Sequence, residues 1–330
     1  MRYPWVNTAL LVLLIAQLVT GCVGLVSGAE GYRWVLWLHG IGAYAVAVLL
    51  IWKGVIIFDA FARRRRPALP RLGFVVLTVL VLATLATGLI WIFGGRIYVS
   101  GFSLMTIHAV LAIGLLTLLV WHTLYMRFIF RVPSARGRRA FLRLVGASLS
   151  GLVLWRFAES NAGKINFLGS KRRFTGSYET GSFTGVFPEV SWLFDHPSPV
   201  DPEEWRLIIE GVVERPLVLT YEQLEQLADD ERTATIDCTG GWYSTQEWQG
   251  VPVARLLDMA GVRGSAHSVT FEAVSGYGRR FSLEEAHRFV LATRVAGRLL
   301  SHGHGFPARL VGENHRGFDW VKWVTRILVN

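Results

Sequence analysis

The hydrophobic pattern divides the chain into two halves. The first 158 residues contain long apolar stretches separated by short polar segments, and each stretch is close to the ~20 apolar residues that a helix needs to cross a bilayer. We therefore predict an N-terminal all-α domain of five transmembrane helices at residues 1–158. The stretches lie at about 8–27, 35–58, 72–93, 103–126 and 140–157.

The second half alternates short β-type runs with short helical signals. Because these elements follow no regular βαβ rhythm, we predict an α+β domain with a mixed sheet at residues 201–330. Residues 159–200 are rich in Gly, Ser, Thr and Pro and are predicted to form a linker and lead-in segment. The β-type runs are Trp205–Glu210, Val269–Ala273 and Val324–Val329, and the helical signals are Tyr221–Ala228, Val253–Met259 and Leu283–His287.

Charge separates the two halves as clearly as hydrophobicity does. Residues 1–158 hold two acidic side chains against 16 Lys and Arg, whereas the rest of the chain holds 22 acidic side chains against 18. The arginines concentrate around 63–71 and 127–143, in two loops that the positive-inside rule places in the cytoplasm. The C-terminal half is then expected on the outer, periplasmic side of a bacterial cytoplasmic membrane. The net charge of +10 belongs to the membrane half and does not indicate a nucleic-acid partner.

The segment Gly137–Arg143 has the sequence Gly-Arg-Arg-Ala-Phe-Leu-Arg before an apolar stretch. It resembles a twin-arginine export signal, a route for folded proteins. Ordinary cytoplasmic anchoring charge is the alternative interpretation. Both interpretations place the C-terminal half on the same side of the membrane, and the internal position favours a retained anchor over a cleaved peptide.

Three histidines interrupt the apolar stretches. His39 and His108 lie at matched depth near the outer ends of the second and fourth helices, and His122 follows His108 by 14 residues. Two histidines on different helices can ligate one haem iron from opposite sides. We predict one b-type haem between His39 and His108 that exchanges electrons with membrane quinol. A second haem on His122 with an unidentified ligand, and a purely structural role for the histidines, are the alternatives. The layout is similar to cytochrome b561 and ferric-reductase-like haem domains.

Cys238 follows a β-type run and precedes the pair Gly240-Gly241, so we expect its thiolate to be displayed on a loop. A thiolate is either a nucleophile or a soft metal ligand, and both chemistries are open at this point. The second cysteine, Cys22, lies in the first apolar stretch, so no disulfide is expected. No dinucleotide fingerprint and no phosphate loop are present.

An ordered series of segments in the second half resembles the oxidoreductase molybdopterin-binding domain of the sulfite oxidase superfamily. The resemblance covers about 165–330. Within the superfamily, this part of the chain is similar to the periplasmic methionine-sulfoxide reductase branch, whose catalytic subunit works with a separate haem-bearing membrane partner. The segments are Trp205-Arg206-Leu207, Gly211-Val212-Val213, Leu219-Thr220-Tyr221, Asp237-Cys238-Thr239-Gly240-Gly241, Trp248-Gln249-Gly250-Val251-Pro252, His304-Gly305-Phe306-Pro307-Ala308-Arg309 and Gly317-Phe318-Asp319-Trp320-Val321-Lys322-Trp323.

The resemblance implies a role for each matched position. Cys238 would be the protein thiolate on molybdenum, and Arg309 would pair with the phosphate of the pterin cofactor, because a planar donor fork suits an oxyanion. The other implied contacts with the pterin are Ser177, Tyr178, Glu179, His304, Trp320, Val321 and Lys322.

One departure from the family pattern bears on the substrate. Sulfite oxidases typically follow the cysteine with Ala-Gly-Asn-Arg-Arg, whereas this chain has Thr239-Gly240-Gly241-Trp242-Tyr243 and lacks the substrate-holding cation. We therefore expect oxygen-atom transfer from a neutral or bulkier acceptor, a sulfoxide or N-oxide, either small or protein-bound. The alternatives are a sulfite oxidase-like dehydrogenase that passes electrons to the membrane, a molybdenum-free binding module anchored by haem, and a hydrolase that uses Cys238 with His304.

Overall fold

A computed structural model describes most of the chain as two compact units. The units are Met1–Tyr178 and Glu179–Asn330, so their boundary falls within the segment 159–200 that was predicted to link the two domains. The described residues are 4–62, 68–125, 137–162, 164–165, 167–191 and 195–330. Most arginines of the two predicted cytoplasmic loops lie outside these residues.

The first unit is built from five long helices, as the hydrophobic pattern predicts. Each contains a stretch that is long and apolar enough to cross a membrane. A two-stranded hairpin, with β1 at Tyr98–Val99 and β2 at Phe102–Ser103, joins the third and fourth helices. The helices are α1 Pro4–Val26, α2 Arg33–Ala62, α3 Ala68–Gly94, α4 Leu104–Tyr125 and α5 Gly137–Ala162.

The helices of the first unit pack mainly in two antiparallel pairs. Helix α1 packs against α2, helix α3 packs against α4, and α5 lies along α2. Gly151 allows α5 close to α2, because a Cβ at this position would lie 2.6 Å from the carbonyl oxygen of Ile41. Large apolar side chains such as Phe58 and Leu124 are more than 70% exposed. An apolar exterior of this kind matches a lipid environment better than water.

The second unit contains two sheets and three short helices. Its strands are β3 Tyr178–Glu179 at the unit boundary, β4 Arg206–Gly211, β5 Leu217–Thr220, β6 Asp230–Cys238, β7 Trp242–Pro252, β8 Ser268–Ala273, β9 Gly278–Ser282, β10 Val290–Val295, β11 Arg298–Leu299, β12 Arg309–Val311 and β13 Val324–Val329. Its helices are α6 Tyr221–Leu227, α7 Val253–Ala260 and α8 Leu283–Ala286.

One sheet has the strand order β5-β4-β13-β8-β9. Strand β13 runs parallel to β4 and antiparallel to β8, so the predicted mixed sheet is confirmed. Alternate residues of β4 and β8 are buried, as expected for strands with one face on a core. Leu207, Ile209, Val269 and Phe271 are fully buried in the larger of the two hydrophobic clusters of this unit.

The other sheet carries the candidate site. Strands β6 and β7 form a long antiparallel hairpin, and β7 also pairs with β10, which in turn pairs with β11 and β12. The second hydrophobic cluster lies on this sheet and includes Phe187, Trp242, Trp248 and Trp320. Cys238 belongs to the same cluster, which places the thiol among aromatic side chains.

Candidate functional site

Cys238 is the last residue of β6 and pairs across the hairpin with Trp242. The intervening turn is closed by the Gly241 N–H, which donates to the carbonyl oxygen of Cys238 at 3.0 Å. Gly241 has φ +88°, a conformation that glycine adopts without strain. The side chain of Cys238 is buried, with only 9% exposure. The expectation of a thiolate displayed on an open loop was therefore wrong, because the hairpin end is covered by the aromatic cluster.

Burial also sets the protonation of this thiol. Desolvation raises the pKa of Cys238, while the N–H of Gly240, 3.4 Å from Sγ, and the charges of Arg316 and Arg309 act in the opposite direction. The protein alone therefore favours the neutral thiol. A bound metal ion would reverse this balance, since a coordinating thiol loses its proton.

Arg309 is a buried cation at the start of β12. One of its terminal nitrogens donates to the carbonyl oxygen of His304 at 2.9 Å, and its guanidinium lies about 6 Å from the rings of Trp248 and Trp320. Its Nε has no hydrogen-bond partner, and no carboxylate pairs with it among the described residues. Burial lowers the pKa of Arg309 to about 10, and the nearby Cys238 opposes this effect. A buried guanidinium with no carboxylate partner carries an uncompensated positive charge.

Lys322 is a second cation with only neutral hydrogen-bond partners. Its Nζ donates to the carbonyl oxygens of Val190 and Gly303, at 2.9 and 2.5 Å, and to the hydroxyl of Ser191 at 3.1 Å. Burial, followed by repulsion from Arg309, lowers the pKa of Lys322 to about 7. Arg309, Lys322 and Cys238 influence each other electrostatically, so the structure brings the three residues together. Their contact with a pterin cofactor stays a prediction.

The neighbours of Lys322 on the same segment are buried. Trp320 stacks edge to face on Trp248 at 5.5 Å, and its indole Nε1 has no partner. The carbonyl oxygen of Val321 accepts the N–H of Leu310 at 2.8 Å and so ties this segment to β12. The segment thus presents an orphaned donor and a lysine beside Arg309.

His304 lies on the loop before β12 and is stacked on Phe187 at 3.9 Å. Its Nε2 donates to the carbonyl oxygen of Phe187 at 2.9 Å, and burial lowers its pKa. The structure provides no nucleophile–base pair between Cys238 and His304 within hydrogen-bond reach, because both ring nitrogens contact other groups. The hydrolase alternative therefore has no structural support.

The segment 177–179 crosses the boundary between the two units. Ser177 and Tyr178 are buried in the helical unit, where the Tyr178 hydroxyl donates to the carbonyl oxygen of Trp91 and burial raises its pKa to about 12. Glu179 begins the second unit and accepts the N–H of Ser182 at 2.7 Å. Their contact with a pterin stays a prediction.

Sequence reasoning missed a buried ion pair directly beside the cysteine. Arg316 donates to Asp237 Oδ1 at 2.7 Å and to the carbonyl oxygen of Cys238 at 3.2 Å, and both charged side chains are almost fully buried. Arg316 therefore holds the end of β6 in place. Asp237, as a charge beside the cysteine, was the only sequence signal for such a partner.

Several buried donors in this region have no acceptor among the residues that the structure describes. They are Trp242 Nε1, Thr293 Oγ1, Trp320 Nε1, Arg309 Nε and Arg316 Nε. Buried polar groups are normally paired, so orphaned groups of this kind call for an explanation. Together with the thiol of Cys238, the unpaired Arg309 and the neighbouring Lys322, whose hydrogen-bond partners are all neutral, they suit an anionic group rich in hydrogen-bond acceptors that carries a soft metal. A molybdenum ion held by a phosphate-bearing pterin dithiolene has this chemistry, so the residues present fit the group.

A second arrangement of chemical interest lies within the helical unit. The rings of His39 on α2 and His108 on α4 have centroids 6.2 Å apart and planes at 83°. Nδ1 of His39 lies 3.1 Å from the carbonyl oxygen of Gln17, and Nδ1 of His108 lies 2.9 Å from that of Thr84. Neither Nε2 has a hydrogen-bond partner among the described residues. His122 lies in the last turn of α4, away from this pair.

The small residues after His39 serve the packing of helices. A Cβ on Gly40 would lie 2.8 Å from Trp155, and a Cβ on Gly42 would lie 2.1 Å from Gln17. These glycines therefore admit side chains of neighbouring helices.

Comparison with known proteins identifies the second unit. Residues 194–330 match the model of the oxidoreductase molybdopterin binding domain. The C-terminal part of this chain is an oxidoreductase molybdopterin-binding domain. The match starts later than the resemblance that the sequence segments indicated, which began at about 165. It confirms a molybdenum-cofactor oxidoreductase domain and leaves the resemblance of the helical unit to cytochrome b561 as a prediction.

Curated relatives belong to the same class. The chain is 29% identical to a nitrate reductase [NADH] from Brassica napus over 180 residues, which are 44% of this chain and 19% of the relative. It is 32% identical to nitrate reductase [NADH] 1 from Phaseolus vulgaris over 182 residues, again 44% of this chain and 19% of the relative. The chain thus spans about a fifth of the length of the curated relatives that it matches.

A solved structure also matches. The sulfane dehydrogenase SoxCD from Paracoccus pantotrophus is 33% identical, with a TM-score of 0.39 over 40% of this chain and 39% of the other.

Proposed function

We propose that this chain is a membrane-anchored molybdenum-cofactor oxidoreductase that reduces an oxygen-bearing acceptor, of the sulfoxide or N-oxide type, outside the cytoplasmic membrane. A haem b held by His39 and His108 in the helical unit would supply electron transfer from membrane quinol. The observation that carries the proposal is the convergence of Cys238 with two cations. Arg309 is buried with no carboxylate partner among the described residues, and Lys322 is partly buried and donates only to neutral groups.

The chain's residues have distinct tasks at this centre. Cys238 would supply the protein sulfur to molybdenum, and Arg309 and Lys322 would neutralise the anionic pterin and its phosphate. Trp320 and Trp242 have free indole N–H groups that would donate to its acceptors. The molybdenum cofactor supplies oxygen-atom transfer when bound, and the protein positions it and excludes water. The Arg316–Asp237 pair acts through the backbone of Cys238.

The overall reaction balances without a further reactant. A sulfoxide accepts two electrons and two protons, loses its oxygen as water and becomes a sulfide. One quinol supplies those two electrons and two protons and becomes a quinone. The same balance holds for an N-oxide, which becomes an amine.

The composition of the hairpin turn supports a neutral acceptor. Gly240, Gly241 and the buried Trp242 follow Cys238 where relatives that oxidise sulfite were expected to place a cation. The cations that lower the pKa of the thiol are Arg316 and Arg309, and Arg316 is already paired with Asp237. A substrate oxyanion would therefore find no further positive side chain on this turn.

The histidine pair supports a haem in the helical unit. A metal–imidazole bond is about 2.0–2.1 Å long, so two imidazoles on opposite sides of one metal ion have ring centres roughly 6 Å apart. His39 and His108 have ring centres 6.2 Å apart, and neither Nε2 has a hydrogen-bond partner within the part of the chain that the structure describes. Bis-histidine ligation of one haem is consistent with this spacing.

Charge supports the orientation of the unit in a bacterial membrane. The arginine-rich segments around 63–71 and 127–143 flank the same ends of the helices, which the positive-inside rule assigns to the cytoplasm. Arg138 and Arg139 lie in the first turn of α5 and are exposed. The twin-arginine-like segment thus begins a helix long enough to act as a retained anchor.

Metal, pterin and haem analysis of the purified full-length protein tests this proposal. We expect about one molybdenum, one pterin and one haem b per chain, and reoxidation of the quinol-reduced haem by a sulfoxide or an N-oxide. Nitrate belongs in the same screen because the relatives from Brassica napus and Phaseolus vulgaris are nitrate reductases. Haem without molybdenum would indicate a binding module and refute the enzyme, and reduction of the oxidised haem by sulfite would reverse the proposed direction.

A further inference from the structure

The first four helices contain the same local arrangement twice. Helix α1 has Gln17, Thr20 and Gly21, and helix α3 has Thr84, Thr87 and Gly88, at identical spacing. In each case the next helix in the chain carries a histidine that faces this triplet. The pair α1–α2 and the pair α3–α4 therefore form two copies of one helical hairpin.

The repeat extends along the histidine-bearing helices. Trp52 follows His39 by 13 residues on α2, and Trp121 follows His108 by 13 residues on α4. The next residue differs, because it is Lys53 in the first copy and His122 in the second. Lys53 donates to Asn7 Oδ1 at 2.8 Å. The two copies thus agree at the end that holds the histidine pair and have diverged at the other end.

The hydrogen bonds of the two histidines are also equivalent. His39 Nδ1 lies 3.1 Å from both the carbonyl oxygen of Gln17 and the hydroxyl of Thr20. His108 Nδ1 lies 2.9 Å from the carbonyl oxygen of Thr84 and 3.3 Å from the hydroxyl of Thr87. Each ring is therefore held by one carbonyl and one threonine of the preceding helix.

These contacts determine the tautomer of both rings. A carbonyl oxygen can only accept, so Nδ1 must carry the hydrogen in each histidine. The threonines agree, since the Thr20 and Thr87 hydroxyls donate to the carbonyl oxygens of Ala16 and Ala83, at 2.7 and 2.9 Å, and present lone pairs to Nδ1. Nε2 is consequently the basic nitrogen in both rings, which is the form that binds a metal ion.

The glycines that follow the threonines make room for the rings. A Cβ on Gly21 would lie 3.1 Å from Cε1 of His39, and a Cβ on Gly88 would lie 3.2 Å from Cε1 of His108. Both distances are tighter than ordinary van der Waals contact. The Thr-Gly pair thus fixes one edge of each imidazole, by a hydrogen bond at threonine and by close approach at glycine.

We propose that Thr20 and Thr87 are matched positioning residues that fix the tautomer and ring plane of the two axial haem ligands, with the imidazole planes close to perpendicular. In the structure the planes of the two rings lie at 83°. This inference rests on the proposed haem at His39 and His108. Hydrogen bonds to the far nitrogen of a metal-bound histidine orient the ring and raise its basicity.

Two consequences can be measured on the haem itself. Perpendicular axial imidazoles give a low-spin ferric haem with a strongly anisotropic electron paramagnetic resonance signal, unlike the rhombic signal of parallel rings. A more basic imidazole stabilises ferric over ferrous iron and lowers the reduction potential. Loss of a threonine acceptor should therefore raise the potential.

The test compares Thr87→Val and Thr20→Val with Thr87→Ser and Thr20→Ser in the full-length protein. Thr117→Val is the matched control, because the Thr117 hydroxyl lies on the exposed side of α4 and bonds only Ile113 of its own helix. We expect the valine variants to retain haem and to shift the ferric-over-ferrous preference by about threefold to tenfold. This corresponds to roughly 30–60 mV upward at 59 mV per tenfold for one electron. The serine variants should recover the wild-type potential and signal.

Gly88→Ala provides a second probe that leaves the hydrogen bonds in place. Its methyl group should turn the His108 ring and change the paramagnetic signal, with a smaller effect on potential. The inference would be overturned if the valine variants had the same reduction potential and paramagnetic signal as Thr117→Val. It would also be overturned if the wild-type haem gave the signal typical of parallel imidazole rings. A wild-type protein without haem would instead refute the proposed function, so the two failures are distinguishable.

Discussion

The two candidate centres of this molecule are incomplete in opposite ways. In the helical unit, His39 and His108 present two basic nitrogens that face no donor and no cation. In the molybdopterin-binding domain, Arg309 is a buried positive charge with no carboxylate partner among the described residues. Lys322 beside it is partly buried and donates only to neutral groups, although the charges of Glu189 and Asp195 also act on it. The first arrangement suits an electrophilic metal ion between two neutral ligands, and the second suits an anionic cofactor. The contrast shows that the unpaired groups of a site indicate the chemical class of the ligand: unpaired basic nitrogens indicate a metal ion, and an unpaired cation indicates an anion.

Substitution of the thiol should produce the largest effect. We expect Cys238→Ser to lower oxo-acceptor reduction by at least about 100-fold, the upper end of the cost of losing an outer partner of a metal site, because a hydroxyl is a poor ligand for a soft metal. Steady-state assays with reduced quinol measure this. Cys22→Ser, on exposed surface of α1, is the control and should retain activity. Full activity in Cys238→Ser would exclude the thiol as ligand.

Substitutions of the histidines should have the second-largest effect, and they distinguish a protein with one haem from a protein with two. We expect His39→Ala and His108→Ala each to lower the haem content of the purified protein at least about tenfold. His122→Ala should leave the content unchanged, because the equivalent position of the other hairpin is Lys53, which bonds Asn7. Haem extraction and absorbance give the ratio of haem to protein. A loss of half the haem in His122→Ala would show that a second haem exists.

Replacement of the buried guanidinium of Arg309 should weaken binding of the cofactor and should stabilise the cofactor-free domain. We expect Arg309→Met to lower molybdenum content about tenfold or more, since the phosphate partner is lost. The cofactor-free protein should become more stable by roughly 1–4 kcal/mol, because an uncompensated buried charge is replaced by an apolar side chain. Thermal unfolding and elemental analysis measure the two effects.

The matched control for this change is Arg255→Met. Arg255 is paired with Asp229 on the surface, and its replacement should change stability by no more than about 0.5 kcal/mol. If the cofactor-free Arg309→Met protein were less stable than cofactor-free wild type, the guanidinium would have a stabilising partner within the protein. The assignment of Arg309 to an anionic ligand would then be contradicted.

The smallest effect concerns pH. Burial lowers the pKa of Lys322 to about 7, below its ordinary value of 10.5. Between these values the unfolded chain binds a proton that the folded chain does not, so the cofactor-free protein gains stability as pH rises from 7 to 8.5. At 1.36 kcal/mol per pH unit the gain is at most about 2 kcal/mol. Denaturation at both pH values measures it.

Lys322→Met is the comparison that assigns this dependence. The variant should lose the rise in stability between pH 7 and 8.5, while other titrating groups contribute equally to both proteins. Cofactor-loaded protein should also lack the rise, because a bound phosphate restores the charge of Lys322. An unchanged slope in Lys322→Met would refute the assignment.

The sequence predicted more of the fold than of the site. Hydropathy located all five helices, and the predicted strand at Val324–Val329 agrees with β13 residue for residue. Local patterns of this kind reflect periodicity within one element. The burial of Cys238 was missed because it depends on Phe187 and Trp242 covering the hairpin end, a tertiary effect.

The parts of the site that could not be predicted depend on contacts between residues far apart in the sequence. Arg316 lies 79 residues from Asp237, and no local signal connects them. Arg309 and Lys322 were predicted from resemblance, but their lack of carboxylate partners is visible only in the structure. Matched depth on two helices led to the prediction that His39 and His108 bind one haem, and it gave no signal for the threonines that contact both rings.

Reoxidation of the haem in the full-length protein, with wild type and Cys238→Ser compared side by side, tests the central claim most directly. Both proteins are reduced anaerobically with a quinol, a sulfoxide is added, and the ferrous haem band is followed in time. We predict that the band decays in wild type and persists in Cys238→Ser, with equal haem content in both. Equal decay in the two proteins would show that the haem is oxidised without the molybdenum domain and would contradict the proposed path of electrons.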